Sequence, residues 1–481
     1  MATGTLLIRR CLSAIVTALL LTTAVAGCST GGGPATSSPT ASSSPAASPS
    51  ASTSASASAP TTTVALPATP AGRQLGWIIA GLNAGKPVGE AVLREHFTAA
   101  FLKQVPPTQL LTALTSVAEA APLTFGEVLG ESTPLGLAAR LDTTSGSLKV
   151  SIAVDPGTGH RISGLLFQPF TTVTQPGSWR QADSTLRSLA SQVGLYAAEV
   201  SGDRAVPVHS LDPARVLAIG SAFKLYVLGA LAHAIEHGTA TWDERFAVRD
   251  AWKSLPSGNM RNAPAGTRYP LRHYAQVMIA ESDNTAADHL IHRVGRRAVE
   301  AQLVPMGNSN PSRNEPFLTT REMCELKLSA APTMLKAWMH AGTAERRRLL
   351  PRVDALPLTL ASAATWTRPR DIQTVEWFAS ARDLGAAMVA LRRMAARPGL
   401  APIRAILSKN PGVAFNGSVW KYVGYKGGSE PGVLCLDWLL ERADGRVFVL
   451  AIVLNDTRRG IDTAAAVAVA QGAVALLAKA H

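Results

Sequence analysis

The chain has 481 residues, a formal net charge of +13 and 47% hydrophobic side chains, a length that points to two folded units plus unfolded chain. Its basic residues are scattered, with short clusters only at Arg346–Arg348 and Arg392–Arg393 and little aromatic interleaving. That pattern argues for a solvated basic surface and against a nucleic-acid partner.

The first residues, MATGTLLIRR, supply a charged start; CLSAIVTALLLTTAV is an apolar stretch too short to span as a mature helix, and VAGC closes it. Residues 1–28 therefore read as a signal peptide. A cysteine directly after Val-Ala-Gly resembles the bacterial lipoprotein signal, which implies that Cys28 becomes the acylated first residue and anchors the protein to a membrane. Residues 29–70 are nearly all Ser, Ala, Thr, Pro and Gly, and cannot bury enough surface to offset ordering entropy. They read as a disordered tether. On an exported protein the positive charge also favours residence near anionic lipid or wall polymers. Apart from Cys11 and Cys28, only Cys324 and Cys435 remain. They pair if their Cα atoms lie within roughly 7 Å, and are otherwise buried thiols; the sequence leaves both open.

A first domain is expected over 71–180. Leu93, Phe97, Phe101 and Leu102 carry helical spacing, and Pro106-Pro107 marks a break before a further helix. FGEVLG, LGLAARLD, LKVSIAVD and RISGLLFQ then read as short strands, with DPGTG as a hairpin turn. Helices followed by an antiparallel meander resemble the cystatin-like or NTF2-like α+β cone. No carboxylate and tyrosine set stands out for isomerase chemistry, so a binding or packing role is expected.

The second domain is expected over 181–481, opening with a helix from about Gln181 and a strand at VGLYAAEVSG. In AIGSAFKLYVLGAL the spacing predicts a helix beginning at Ser221 that is apolar on every side and hence buried. Ser221 and Lys224, three apart, share one face. The helix N-terminus favours a developing alkoxide, and a desolvated lysine loses its proton readily. A Ser-x-x-Lys match alone is weak, because a capping serine beside a snorkelling lysine gives the same letters. It gains weight from Ser282-Asp283-Asn284 in MIAESDNTAADHLI, and from WKYVGYKGGSEPGVLCL, a strand followed by FVLAIVLND and a helix from Ile461.

Together these three motifs, over about residues 183–481, resemble the class A serine β-lactamases and related penicillin-recognising hydrolases. The resemblance implies a β-lactamase-like fold, an antiparallel sheet with flanking helices plus an all-α lobe, and a two-domain α+β chain overall. It implies Ser221 as acylated nucleophile, Lys224 as base or proton relay, Ser282 as proton shuttle, and Lys426 as positive charge across the cleft. Asn284 would orient Lys224, and the N–H groups of Ser221 and Ser429, beside Gly427 and Gly428, would bind the substrate oxyanion.

Two departures bear on the substrate. Gly427 follows Lys426 where the pattern has Thr or Ser, so a hydroxyl for a substrate carboxylate is missing; Ser429 and Ser418 are candidate replacements. No Glu-x-x-Leu-Asn element precedes Thr319-Thr320, and Glu315 is a poor match to a deacylating base, better read as a loop charge. A cone-like domain before such a hydrolase domain resembles a group of actinobacterial lipoproteins that includes an esterase-type protein of the clavulanic acid cluster. HAIEH, His233 to His237, fits a zinc pattern formally, but its place at a helix end explains the histidines without metal. His289 and His292 are read as surface or packing residues.

The leading reading is an exported, lipid-anchored serine hydrolase acting through an acyl-enzyme on a small-molecule or cell-wall-derived ester or amide, with no cofactor. A D,D-peptidase or true β-lactamase is the second, and a non-catalytic binding protein the third, disfavoured by the intact set of four polar residues. Residues 330–375 stay open, with Trp366, Trp377 and Ser380 as candidate cleft lining.

Overall fold

The first helix starts where the Ser/Pro-rich run ends. Thr69 accepts from Gly72 N, and Pro70 occupies the first turn, where its missing N–H costs nothing. The computed structural model describes residues 65–480 apart from 86–88, 130–131, 145, 158, 171–173, 203, 330 and 359–365. Cys28, the expected signal peptide and nearly all of the expected tether lie outside the described residues. The chain divides into two units, before and after residue 171.

In the first unit, α1 (Pro70–Asn83), α2 (Glu90–His96), α3 (Ala99–Gln104) and α4 (Pro107–Ala118) precede β1 (Thr124–Val128), β2 (Gly136–Thr143), β3 (Gly146–Val154) and β4 (Ile162–Phe170). The strands form an antiparallel meander in chain order. Alternation sets its inner face: Leu148, Val150, Ile152 and Val154 of β3 are buried with Leu75, Ile78, Leu93 and Phe97 from the helices. Helices followed by strands is the order expected from the sequence.

The segment expected to close this domain, PFTTVTQPGSW, is divided between the units. Pro176 packs on Gly472 and the Gln175 side chain donates to Gln471 at 3.2 Å, so its second half belongs with the C-terminal helix.

The second unit is built on a five-stranded antiparallel sheet of order β11-β12-β13-β5-β6, from β5 (Gln192–Ser201), β6 (Arg204–Leu211), β11 (Trp420–Glu430), β12 (Val433–Arg442) and β13 (Val447–Asn455). Every residue of β13 is buried, because helices cover both faces of the sheet. The terminal helices α5 (Trp179–Leu189) and α15 (Thr463–Ala478) cover one face with Leu186, Val469 and Leu477. The other face meets a helical lobe centred on α6 (Lys224–Glu236). Around α6 pack α7 (Leu271–Ala280), α8 (Asn284–Val294), α9 (Arg296–Leu303), α10 (Thr320–Leu328) and α13 (Ala381–Ala395). The lobe also holds α11 (Pro332–His340), α12 (Thr343–Val353) and α14 (Pro402–Ser408). Two short ladders complete the unit, β7 (Leu217–Ala218) with β10 (Phe378–Ala379), and β8 (Arg245–Ala247) with β9 (Arg268–Pro270).

The helix expected to begin at Ser221 begins at Lys224 instead. A 3₁₀ turn, Gly220–Phe223, precedes it, entered through Gly220 at φ +48°. Only glycine adopts that angle without strain, and it lets the turn lie against β11. Cys324 and Cys435 are both buried and free, which settles the choice the sequence left open.

Candidate functional site

The lobe and the sheet meet where the three motifs lie. Lys224 opens α6, and its side chain is buried in an otherwise apolar helix. Its Nζ stands 3.1 Å from Ser221 Oγ, 3.2 Å from Ser282 Oγ, 2.6 Å from the Ser282 carbonyl and 2.6 Å from Asn284 Oδ1. Burial, with the nearby positive charge of Lys426 second, holds its pKa well below that of an ordinary lysine. Two of its four partners are oxygens that only accept. A neutral amine has two N–H groups for those two oxygens, and a lone pair left to receive a hydroxyl proton.

Ser282 sits in the connection from α7 to α8 at φ +54°, a left-handed conformation uncommon for a side-chain-bearing residue. The surroundings hold it there. Ser257 Oγ donates to its carbonyl at 2.7 Å, and Asp283 caps α8 through Ala286 N while its other oxygen accepts from Met260 N at 2.8 Å. Asn284 Nδ2 donates to the Leu255 carbonyl at 2.7 Å, fixing which end of the amide faces Lys224. Sequence reasoning named Ser282 and Asn284 but missed Ser257 and its loop, SLPSGNM, whose letters carry no motif.

Lys426 reaches across from β11 to Ser282 Oγ at 3.1 Å and also donates to the Gly427 carbonyl. Burial pushes its pKa down to about 7. Two residues on, Gly428 passes so close to the serine turn that a Cβ there would run into the Ile219 carbonyl and lie 2.7 Å from Ser221 N. A Cβ on Gly220 would lie 3.2 Å from Ser429 N. The N–H groups of Ser221 and Ser429 are thereby brought to one seam. Ser221, Lys224, Ser282, Asn284, Lys426, Gly428 and Ser429 form one cluster; Gly427 follows along the strand, where a Cβ would meet the Tyr425 hydroxyl.

Ser418 is not part of it. Its Oγ donates to Asn416 at 2.7 Å in an exposed turn before β11. Ser429 is solvent-exposed beside Gly428. The Glu315 side chain is 34% exposed and pairs with Arg347 at 3.5 Å, so it belongs to an ion pair rather than being a free loop charge. Among the described residues, no carboxylate hydrogen-bonds Lys224 or Ser221. Trp377 stacks on Phe223 at 3.8 Å behind the serine turn, and Ser380 caps α13 through a capping box with Asp383, so both serve packing. Trp366 is buried. His289 is a packing residue whose Nε2 accepts from Arg249 N at 2.9 Å, while His233 and His237 stack at 4.0 Å at the end of α6.

Asp437 is a buried acid that sequence reasoning passed over, although an aspartate inside the apolar run VLCLDWLL was its signal. It lies on β12 directly opposite Lys426, and among the described residues neither carboxylate oxygen has a hydrogen-bond partner. Burial drives its pKa well above the usual carboxylate range. The folded state therefore holds a proton that the unfolded chain releases above about pH 3.9, so stability falls as pH rises through that window. Asp437→Leu is expected to raise stability at pH 7 by about 2 kcal/mol and to flatten that slope, read by urea unfolding between pH 4 and 8.

No match is found among curated proteins. Residues 66–158 match the family described as ORF 12 gene product N-terminal. Among solved structures, a β-lactamase from Sphaerobacter thermophilus is 20% identical, with a TM-score of 0.45 over 62% of this chain and 96% of its own. PBP-A is 15% identical, with a TM-score of 0.41 over 63% of this chain and 96% of its own. A β-lactamase from Chitinophaga pinensis is 13% identical, with a TM-score of 0.42 over 62% and 97%. The profile of the beta-lactamase enzyme family matches residues 179–471, more than half of the sequence and most of the motif-bearing unit, and the chain belongs to that family.

Proposed function

We propose that this protein is a serine hydrolase that works through an acyl-enzyme on ester or amide substrates, with Ser221 as nucleophile. The observation that carries the reading is the Lys224 amine, 3.1 Å from Ser221 Oγ, buried, and satisfied as a donor by two carbonyl-type oxygens. Ser221 Oγ attacks the acyl carbon and its proton passes to the Lys224 lone pair. The oxyanion is received by the N–H groups of Ser221 and Ser429. Ser282, between the two lysines, returns a proton to the leaving group, and water then releases the acid. Lys426 supplies the charge that holds a substrate carboxylate.

The substrate reading favours esters over rapid β-lactam turnover. Gly427 offers no hydroxyl to a β-lactam carboxylate, Glu315 pairs with Arg347, and among the described residues no carboxylate hydrogen-bonds Lys224 or Ser221 to activate water for deacylation. The lipid anchor at Cys28, the tether, an extracytoplasmic location and an NTF2-like cone for the first unit belong to the same proposal. They rest on the segment VAGC, on the composition of 29–70 and on the order of helices and meander.

Intact mass spectrometry with a penicillin and an activated ester tests it, with peptide mapping of any adduct. An adduct on Ser221, long-lived with the penicillin and short-lived with the ester, is expected. Absence of any adduct or turnover would leave a binding protein with this fold. A pH profile separates the two lysines. Acylation should rise with pH as Lys224 loses its proton. With an anionic penicillin it should then fall through about pH 7 as Lys426 becomes neutral, while a neutral ester shows no such fall.

A further inference from the structure

The lobe carries a pair of arginines that the acyl-transfer reading leaves unused. Arg313, in the 3₁₀ turn Pro311–Asn314, and Arg346, on α12, line one cleft of about 240 Å³ together with Ser312, Gln373, Thr374 and Phe378. The Arg313 guanidinium lies over the Phe378 ring at 3.7 Å and donates one bond to the Gln373 carbonyl at 2.7 Å. Arg346 lies against the Trp338 ring at 5.4 Å and donates through Nε to the Trp338 carbonyl at 3.1 Å. Each guanidinium is thus aimed by a ring and a carbonyl, and among the described residues its other N–H groups have no hydrogen-bond partner.

The acids close by are engaged elsewhere. Glu300 and Glu315 pair with Arg347 at 2.7 and 3.5 Å, and Glu345 pairs with Arg348 at 2.8 Å. Among the described residues no carboxylate pairs with Arg313 or Arg346. Burial lowers the pKa of both, and the charge of Arg346 adds to the effect on Arg313. Two like charges held half-desolvated without a counter-ion are unfavourable in the empty protein, and a bound anion offsets that. The solvated basic surface expected from the sequence describes Arg348, which is 75% exposed, but not Arg346.

We propose that this cleft is a phosphate-binding site. A carboxylate is satisfied by one guanidinium fork, whereas two forks with the Ser312 and Thr374 hydroxyls suit a phosphate with three terminal acceptor oxygens and about two charges. The phosphate comes free in solution or on a lipid headgroup. The site stands whether or not Ser221 is acylated.

The test titrates the full chain with inorganic phosphate at constant ionic strength, with acetate as the carboxylate comparison and thermal midpoint as readout. Phosphate should raise the midpoint saturably, acetate should not, and Arg346→Gln should weaken the phosphate effect about tenfold or more. Arg346→Lys, which keeps the charge and loses the fork, should fall between, and serves if the glutamine variant does not fold. Vesicles of phosphatidic acid, whose headgroup is a phosphomonoester, against phosphatidylcholine identify the source. Their readout is the difference between wild type and Arg346→Gln, so any membrane affinity of the N-terminal apolar segment cancels. Weakening on phosphatidic acid assigns a headgroup, and weakening only with inorganic phosphate assigns a free ligand. A phosphate effect that does not saturate, is matched by acetate, or is equal in wild type and both variants overturns the proposal.

Discussion

Lys224→Met is expected to slow acylation of Ser221 about 10²- to 10⁴-fold, the usual range for loss of a positioned general base. Methionine has a similar length and no charge, so the interior of α6 stays filled and the fold is kept. Asn284 Oδ1 loses its partner, whereas the Ser282 carbonyl keeps the bond from Ser257 Oγ. The thermal midpoint should therefore move by only a few degrees, which stopped-flow acylation with an activated ester beside thermal unfolding would check. The variant should also lose the rise of acylation with pH that Lys224 gives the parent. A variant that acylates at the parent rate would remove Lys224 as the base and leave the buried amine a packing group.

Gly428→Ala is expected to cost about 10²- to 10³-fold in acylation, the scale of a lost oxyanion donor. The added methyl would meet the Ile219 carbonyl and lie 2.7 Å from Ser221 N and 2.9 Å from Ala222 N. All three are backbone atoms, so no side-chain rotation relieves the clash, and the strand must part from the serine turn. Gly427→Ser is the built-in comparison. Its Cβ would meet the far end of Tyr425 and lie 3.3 Å from the Cys435 carbonyl, a crowding that a side-chain shift relieves. It would also bring a hydroxyl beside Lys426, where a β-lactam carboxylate is expected. Penicillin acylation measured for the two variants should thus move in opposite directions.

What could be read from letters and what could not divides along a physical line. Ser221 and Lys224 were visible as polar residues in an apolar run, and Ser282 and Lys426 through the Ser-Asp-Asn triplet and the Lys-Gly-Gly strand; folding brings all four together. The strands of the first unit were visible by alternation. The start of α6 was misplaced because a positive φ at Gly220 is set by contact with β11, which no local pattern records. Ser257 acts through its carbonyl partner, and the loop residue Glu315 is paired with Arg347 on α12. The Arg313 and Arg346 cleft likewise joins separated segments, so a cluster that looked like surface charge in one dimension is half-enclosed in three.

The sheet order carries a consequence for how the protein comes into being. Val447 of β13 pairs with Val200 of β5, so the edge that holds Lys426 and Gly428 joins the rest of the sheet only through strands at the far end of the chain. Loop closure over that separation is slow relative to local helix formation. During synthesis Ser221 emerges long before the strand that lies against it. On the acyl-enzyme reading proposed above, the nascent chain carries an inert serine, and reactivity arrives only once the last strands have closed the sheet.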